Sequence, residues 1–446
     1  NGIKTIGLDE HKLNTPGRHQ PDSVQEAPMH NFDQLRDHCH LTRRYFLQLG
    51  SLAAAAWNAS PLAAVSAAPD PLLKDAIAKL EYLAPLDRIQ IADKGRTGVL
   101  KFSPEKLREV GLVPETWSLE IVPDTESTSV VEQPFTRAQG NALDWKRLME
   151  LAQRHAVRFL HPCICAFADD PFHTSLWEGV PLREIIWMAK PKANIRRVVY
   201  QSYHPEGLPP FQASLPLAQV LETPPGQVPP VLAYKMNGEL IPAAHGGPTR
   251  VVVPGMYGDK AIKWIQRIVL TNDFKANDSD AAVHNADTES PMKTKARFLN
   301  APTELKSGSP AALTGYALVG ISGLAKVQYC VHSHNEPRPS DDPYWTKADW
   351  HDAAILPAPT NWGRGLAGGK LPPNTSHMDP AKGTPLEWPI RFTLTHWAAL
   401  LPGLPAGKYD LCCRTIDHNG IAQPMPRPFP RSGNNGIHCI TLTVKV

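Results

Sequence analysis

The pattern of hydrophobic and polar positions changes near residue 300. Before that point, helical and strand-like segments follow each other irregularly. Apolar residues recur at helical spacing within 142–155, with charged residues opposite, and 180–189 predicts a second helix. The short apolar run 157–160 predicts a buried strand. Because there is no regular strand–helix–strand period, these segments predict a mixed α+β domain rather than a doubly wound sheet.

Beyond residue 310 the chain has the texture of an antiparallel β-sandwich. Four segments alternate apolar and polar residues between turns rich in Gly, Pro and Asn: 312–321, 325–332, 408–415 and 437–446. The polar stretch 272–300 predicts a linker or an exposed excursion. The insertion 333–387 is of a length typical of segments that pack over a site. We therefore expect a mixed α/β domain over 69–300 and an all-β sandwich domain over 301–446.

The first 68 residues have the features of an export signal. The pair Arg43-Arg44 is followed by Phe46-Leu47, and an Ala-rich stretch then ends in small residues. This arrangement predicts a twin-arginine signal peptide and a periplasmic protein. Because that route carries folded proteins, it is consistent with a cofactor inserted before export. The alternative is a membrane anchor, which Asn58 and Pro61 disfavour by lowering the hydrophobicity of the stretch.

The amino-acid composition argues against several classes of protein. The chain has 46 Lys and Arg against 43 Asp and Glu, a net charge of +3, so no polyanionic partner such as nucleic acid is expected. Seven cysteines in 446 residues are too few for a disulfide-built scaffold. No CxxC or CxxCH motif occurs, which argues against a zinc ribbon and against haem attached to this chain. Adjacent Cys412 and Cys413 should point to opposite faces of a strand, as core-filling residues.

The strongest chemical candidate follows the apolar run 157–160. There, His161-Pro162 leads directly to Cys163, and Cys165 lies two residues further on. A thiolate at the exit of a strand suits a soft metal ion. Two other interpretations stay open: a buried cysteine often serves as a small hydrophobic residue, and the pair of cysteines could bind zinc.

Downstream, four basic side chains recur beside glycines and predicted strands: His245, Arg250, Lys260 and Lys263. Such a set could hold a phosphate group, because glycine lets the backbone approach closely and the side chains supply charge-assisted hydrogen bonds. The alternative is ordinary surface charge.

Several histidines are weaker candidates. His161, His173 and His204 could carry protons near neutral pH. His332 and His334 could place two imidazoles on one strand face for copper or zinc, although a solvent-exposed turn explains them as well.

Two long motifs resemble the molybdenum-cofactor domain of the sulfite oxidase family. The first is AYKMNGELIPAAHGGPTRVVVPGMYGDKAIKW, residues 233–264, and the second is LWEGVPLREIIWMA, residues 176–189. The last 135 residues are similar to the C-terminal dimerisation domain of that family, so the resemblance covers roughly 80–446. It implies a sulfite-oxidase-like molybdopterin domain followed by an immunoglobulin-like sandwich, and a homodimer.

The resemblance also implies roles for single residues. Cys163 would be the molybdenum ligand, with Cys165 as the competing candidate. The pterin and its phosphate would be bound by His245, Arg250, Lys263 and Lys260, the last in place of an arginine. Arg96 would be the active-site arginine. The cofactor would be molybdopterin-bound molybdenum, and electrons would pass to a separate partner such as a cytochrome.

The sequence departs from the family pattern at positions that affect which substrate is expected. Sulfite oxidases carry arginines just after the metal-binding cysteine, where this chain has Phe167, Ala168 and the acidic pair Asp169-Asp170. Near Trp397 an arginine is replaced by Thr395-His396. Each lost charge-assisted contact to a dianion costs about 1.5–3 kcal/mol. We therefore expect oxo transfer or two-electron redox on a small, non-sulfite substrate.

The run Cys163-Ile-Cys-Ala-Phe167 is most similar to the family branch that includes the periplasmic methionine-sulfoxide reductase. Two alternatives stay open. One is a sulfane dehydrogenase-like subunit of a thiosulfate-oxidising complex. The other is a cofactor-free secreted binding protein with the same fold.

Overall fold

Three β-sheets and a few short helices make up the described part of the computed structural model, which comprises residues 70–89, 91, 97–162, 173–279, 291–337, 342, 345–424 and 435–446. The predicted leader, Arg96, Cys163 and Cys165 lie outside these residues. The helices are α1 (Pro71–Ala78), α2 (Pro104–Glu109), α3 (Trp145–His155), α4 (Leu182–Met188) and α5 (Leu217–Leu221). Within the ranges above, no helix is both long enough and apolar enough to span a bilayer.

The strands are numbered in chain order. They are β1 (Ser118–Pro123), β2 (Leu143–Asp144), β3 (Val157–Pro162), β4 (Thr174–Pro181), β5 (Arg197–Ser202), β6 (Gln212–Pro216), β7 (Val231–Met236), β8 (Glu239–Leu240), β9 (Arg250–Val252), β10 (Ile265–Thr271), β11 (Lys295–Asn300), β12 (Glu304–Lys306), β13 (Ala311–Leu318), β14 (Lys326–Ser333), β15 (His351–Ile355), β16 (Leu394–Leu401), β17 (Gly407–Ile416) and β18 (His438–Lys445). The predicted mixed α/β architecture is confirmed, and the irregular order of helices and strands rules out a doubly wound sheet.

Two sheets build the first part of the fold. One has the order β2-β1-β10-β5-β6, in which only the β1–β10 pair is parallel. The other joins β3, β4, β7 and β8, with β9 also paired to β7. Strands β3 and β4 are antiparallel, and Pro162 at the end of β3 is the register partner of Thr174 at the start of β4. The sequence that contains Cys163 and Cys165 therefore connects two neighbouring strand ends.

The helices form where the sequence provides a cap and an apolar face. Helix α3 begins at Trp145 because the Asp144 side chain accepts a hydrogen bond from the backbone N–H of Arg147, and its Leu148 is fully buried in the core. This confirms the helix predicted in 142–155. The helix predicted over 180–189 is shorter, since β4 continues through Pro181 and α4 begins after it. Proline suits the start of a helix but not its interior.

The third sheet has eight strands in the order β11-β13-β16-β15-β14-β17-β18-β12. Strand β15 pairs with β14 through residues 351–353 and with β16 through residues 354–355, so it joins the two halves of the sandwich. Trp397 lies fully buried between them, with its ring centroid 5.3 Å from that of Phe298. The predicted antiparallel β-sandwich texture is thus present.

The prediction for Cys412 needs a correction. Cys412 and Cys413 do point to opposite faces of β17, but Cys412 forms a disulfide with Cys439 rather than only filling space. Spacing could not give this pairing, because the two cysteines are 27 residues apart and meet only through the register of β17 and β18. Cys413 is buried in the sandwich core as expected.

The prediction of a linker over 272–300 is wrong at both ends. Asp278 is buried, and its carboxylate forms an ion pair with Lys260. Residues 295–300 form β11 and pair with β13. Polar composition misled the sequence prediction, because a buried ion pair and an edge strand both need polar residues.

The long insertion packs against the first part of the fold. The backbone N–H of Leu83 donates to the carbonyl of Trp362, and that of Ser376 donates to the carbonyl of Arg158 in β3. The N–H of Leu394 in β16 donates to the hydroxyl of Thr174 in β4, at 3.3 Å. Residues 70–446 consequently form one compact unit. The start of β4 lies against the strand that carries Thr395 and His396.

Candidate functional site

A tight turn positions His245. Residues Ala243–His245 form a single 3-10 turn that ends at Gly246, whose φ of 98° is accessible to glycine and strained for other residues. A Cβ atom on Gly246 would lie 2.5 Å from Cγ of Lys263, so glycine lets the Lys263 side chain pack on this turn. The ring Nε2 of His245 lies 3.1 Å from the backbone carbonyl oxygen of Leu86.

The buried side chain of Arg250 links two loops. Its guanidinium is buried and donates from Nη1 to the carbonyl of His245 at 2.9 Å and from Nη2 to the carbonyl of Ala261 at 3.0 Å. It also lies over the ring of Trp177, 5.1 Å from the ring centroid. Arg250 therefore holds the turn at His245 and the loop before Lys263 in one arrangement.

The surroundings of His245 are electropositive. Burial is the largest cause that lowers the pKa of His245, and the positive charges of Lys263 and Arg250 lower it further. The hydrogen bond to the carbonyl of Leu86 acts in the opposite direction and raises this pKa. Among the described residues, no carboxylate is a cause of this shift. His245, Arg250 and Lys263, predicted from the sequence, thus lie together, and their arrangement suits an anion such as phosphate.

Lys260 lies in a different environment from the other three basic residues. Its ammonium is fully buried, 2.6 Å from Oδ2 of Asp278, and it donates to the carbonyl of Ser214 at 2.7 Å. The backbone N–H and the hydroxyl of Ser214 both donate to Oδ1 of Asp278, each at 2.9 Å. The charge of Lys260 is therefore neutralised inside the protein.

His161 connects this region to the end of β3. Burial lowers the pKa of His161 to about 4, and Arg250 contributes to the shift through its charge. His161 is thus a neutral, buried imidazole near Arg250, two residues before Cys163 in sequence. Of the other histidines proposed as proton carriers, His173 has a pKa lowered by burial and then by Arg88, while Nδ1 of His204 lies 3.3 Å from the carbonyl of Ser202.

A second group of side chains lies on the opposite face of β3 and β4, and sequence reasoning found only part of it. The ring of Tyr82 is 4.2 Å from that of His396, and Trp362 and Trp388 lie 5.7 Å and 6.0 Å from Tyr82. The sequence pointed to Thr395 and His396 but gave no signal for Tyr82, which lies more than 300 positions away. We call these five residues the neutral cluster.

Burial keeps the neutral cluster uncharged near pH 7. It lowers the pKa of His396 to about 4, with a smaller contribution from His173, and raises the pKa of Tyr82 to about 12. Three buried polar atoms there, Tyr82 Oη, Thr395 Oγ1 and His396 Nδ1, make no hydrogen bond of standard geometry in the described part of the chain, although hydrogen-bonding interactions with the His396 backbone and the Thr395 side chain lower the pKa of Tyr82. Unsatisfied buried polar atoms are costly, so their concentration at one place is typical of a functional site.

Among the described residues, His332 and His334 have no third ligand with which to form a metal site. Nε2 of His332 lies 3.0 Å from the carbonyl of Glu336, and Nδ1 of His334 lies 2.8 Å from Oδ1 of Asp410. Within the residues that the structure describes, no group of three potential ligands could hold a metal ion.

Sequence comparisons with known proteins match one part of this chain. The family model described as the oxidoreductase molybdopterin binding domain matches residues 109–278. NADPH nitrate reductases from Fusarium oxysporum and Neurospora crassa are 34% and 38% identical over 106 and 110 residues, which is 23% of this chain in each case. The chain spans only 11% of the length of these two relatives, so the similarity concerns one domain.

A solved structure extends the similarity to almost the whole fold. The sulfane dehydrogenase SoxCD from Paracoccus pantotrophus superposes with a TM-score of 0.51, covering 87% of this chain and 97% of that chain. The sequence identity is 17%, so this similarity concerns the fold alone.

Proposed function

We propose that this chain, a molybdopterin oxidoreductase of the sulfite oxidase family, transfers an oxo group, or two electrons, to or from a small non-sulfite substrate. The single observation that carries the proposal is the electropositive group of His245, Arg250 and Lys263 beside the strand that leads to Cys163. We further propose that the enzyme works in the periplasm, as a homodimer, with a separate electron partner.

The residues present fit the molybdenum cofactor. His245 and Lys263 would hold its phosphate and pterin, because both side chains belong to the electropositive group and can make charge-assisted hydrogen bonds to an anion. Arg250 would act on the backbone, since its guanidinium fixes the carbonyls of His245 and Ala261. When bound, the cofactor supplies a metal that exchanges oxygen and electrons with a substrate. Lys260 would support the fold of this region through Asp278.

Cys163 is the proposed protein ligand of the metal, and Cys165 is the competing candidate. Cys163 comes directly after Pro162, the last residue of β3. Arg96 remains the proposed active-site arginine. Both residues lie outside the described part, so their roles rest on the family resemblance.

The neutral cluster supports a substrate with little or no charge. At the position where the family places an arginine, His396 is neutral near pH 7 because burial lowers its pKa to about 4. The Tyr82 hydroxyl stays protonated and can donate a hydrogen bond to an oxygen of the substrate. Two nearby arginines, Arg88 and Arg364, form ion pairs with Glu81. A sulfite dianion would find few positive partners here.

The experiment that tests the proposal measures molybdenum per chain in the purified protein. We expect about one atom per chain, and loss of both metal and activity in Cys163→Ser. Cys165→Ser is the matched control and should keep its molybdenum. Stoichiometric zinc without molybdenum would contradict the proposal. Efficient turnover at micromolar sulfite would overturn the assignment of a non-sulfite substrate.

A second candidate is a sulfane dehydrogenase-like subunit, supported by the fold that this chain shares with SoxCD over 87% of its length. This candidate predicts that the chain copurifies with a haem protein and oxidises a thiosulfate-derived substrate only when that partner is present. An isolated chain that reduces a neutral oxide with an artificial electron donor, and binds no haem protein, would favour the first candidate.

A further inference from the structure

Three cysteines lie side by side on one face of the large sheet. Cys330 in β14 is the register partner of Cys412 in β17, and Cys412 is the register partner of Cys439 in β18. Cys412 and Cys439 form the disulfide. The same hydrophobic cluster contains all three residues, which confirms that their side chains share a face. Cys412 therefore has a cysteine on each side, one bonded to it and one a thiol.

The backbone spacing allows Cys412 a second disulfide partner on the side of Cys330. The Cα atoms of Cys412 and Cys439 are 4.1 Å apart, as in the closely spaced, non-hydrogen-bonded pairs of an antiparallel sheet. The backbone N–H and C=O of Cys412 then face β14, which makes its pair with Cys330 the hydrogen-bonded kind, with Cα atoms about 5.5 Å apart. That separation lies within the usual disulfide range of about 4.4–6.8 Å.

The three strands also align the sulfurs for reaction. Since β17 lies between β14 and β18, a sulfur from Cys330 approaches Cys412 from the side opposite to Cys439. Exchange at a disulfide needs a thiolate that attacks one sulfur while the other leaves. The order of the strands provides this arrangement without a change of fold.

A basic residue lies beside Cys330. Arg414, on the same face of β17 as Cys412, interacts electrostatically with Cys330, and its guanidinium is 4.1 Å from the ring centroid of Trp350. A thiolate, which is the attacking nucleophile, is stabilised by a nearby cation and destabilised by burial. Burial raises the pKa of Cys413 well above the ordinary value, and its side chain faces the sandwich core.

We propose that Cys330, Cys412 and Cys439 form a thiol–disulfide exchange site, in which Cys412 alternates between two partners and Cys439 becomes open to modification. The Cys330 thiolate attacks Sγ of Cys412, the Cys412–Cys439 bond breaks as the Cys330–Cys412 bond forms, and Cys439 leaves as a thiolate that takes up the proton lost by Cys330. One disulfide and one thiol exist before and after the step, so no oxidant or reductant is consumed.

The exchange moves the thiol toward solvent. Cys330 is 1% exposed and lies beneath Trp345, whereas Cys439 is only half-buried on β18. A small thiol reagent can therefore reach Cys439 after exchange far more readily than it can reach Cys330 before it. The site thus fits low-molecular-weight thiols and disulfides, such as those of the glutathione class.

The test uses the full-length folded protein, incubated at pH 8 with iodoacetamide, then quenched in acid, digested without reduction and mapped by mass spectrometry. We expect alkylated Cys439 to accumulate together with a Cys330–Cys412 cross-linked peptide. In Cys330→Ser, alkylation of Cys439 should be lost. Cys413→Ser is the matched control, a neighbouring buried thiol on the other face of the strand, and should label as the wild type does.

Cys439→Ser provides an independent arm. Exposed to oxidised glutathione, this variant should form the Cys330–Cys412 disulfide while circular dichroism confirms that it is folded. The proposal is overturned if the wild type and Cys330→Ser alkylate at Cys439 equally, or if folded Cys439→Ser leaves Cys330 and Cys412 unlinked. Should Cys439→Ser fail to fold, the comparison of the wild type with Cys330→Ser still decides.

Discussion

The two faces of the β3–β4 hairpin present opposite electrostatic environments. On the face of Trp177, Arg250 lies over the indole ring and His245 is surrounded by positive charge. On the face of Leu176, the neutral cluster packs around Tyr82 and His396 with its polar groups uncharged. Both faces belong to one strand pair that leads to the sequence containing Cys163.

One pair of strands can thus serve two chemistries. Side chains of consecutive residues point to opposite faces of a strand, so Leu176 and Trp177 meet different partners. The electropositive face suits the phosphate of a cofactor, and the neutral face suits a substrate with little charge. We therefore expect substitutions on the electropositive face to affect cofactor retention. Substitutions on the neutral face should affect substrate binding.

The largest expected effect comes from the ion pair beneath the electropositive face. Asp278→Asn leaves the buried Lys260 ammonium without its carboxylate, and breaking a buried pair costs about 3–5 kcal/mol. We expect the free energy of unfolding, measured in urea, to fall by that amount. Asp273→Asn, in the same segment, is the control. The Asp273 side chain accepts a hydrogen bond from the backbone N–H of Lys275, and the change should cost less than about 1 kcal/mol. Equal effects of the two changes would refute the structural role of Lys260.

The next largest effect is the pH dependence of stability that comes from the neutral face. The pKa of His396 is about 4 in the folded chain against 6.5 for the ordinary value, so the unfolded chain binds an extra proton between these values. Stability should therefore decrease as the pH falls from about 6.5 to 4, by about 3 kcal/mol from this residue. Unfolding in urea at pH 7 and pH 4.5 measures the loss. In His396→Gln the loss of stability between pH 7 and pH 4.5 should be smaller than in the wild type by about the contribution of His396. An unchanged pH dependence would contradict a neutral His396.

A smaller effect concerns Lys263 on the electropositive face. Lys263→Met removes one charge-assisted contact to an anion, worth about 1.5–3 kcal/mol, or roughly a 10- to 150-fold loss of cofactor affinity. Molybdenum retained after dialysis measures that loss. The same change should raise the pKa of His245, followed by NMR, because the charge of Lys263 lowers it. Lys275→Met, at an exposed lysine, should change neither quantity.

The smallest effect on stability is expected at Tyr82. Its hydroxyl makes no hydrogen bond of standard geometry among the residues described, only the interactions with Thr395 and the His396 backbone that lower its pKa, so Tyr82→Phe should change the free energy of unfolding by less than about 1 kcal/mol. The KM for the substrate should nevertheless rise, if the hydroxyl donates to it. Tyr200→Phe is the control, since that hydroxyl donates to the carbonyl of Lys260 at 2.9 Å and its loss should cost stability instead. A Tyr82→Phe enzyme with unchanged KM would remove Tyr82 from the substrate site.

Much of the local structure could be predicted from the sequence. Apolar spacing predicted α3, and alternation predicted the strands of the sandwich, because both depend on residues that are near each other in the chain. The basic residues His245, Arg250 and Lys263 were also found from one continuous motif. The sequence could not separate Lys260 from them, since its partner Asp278 lies in a segment that polar composition marked as a linker.

The class of domain, the alternation of apolar residues and the cofactor motif are all encoded in short stretches of the chain. Which distant residues meet is set by the fold: Tyr82 with His396, Lys260 with Asp278, and Cys412 between Cys330 and Cys439. Strand register and packing bring these side chains together over dozens to hundreds of residues, because no local pattern records which strand becomes the neighbour of which.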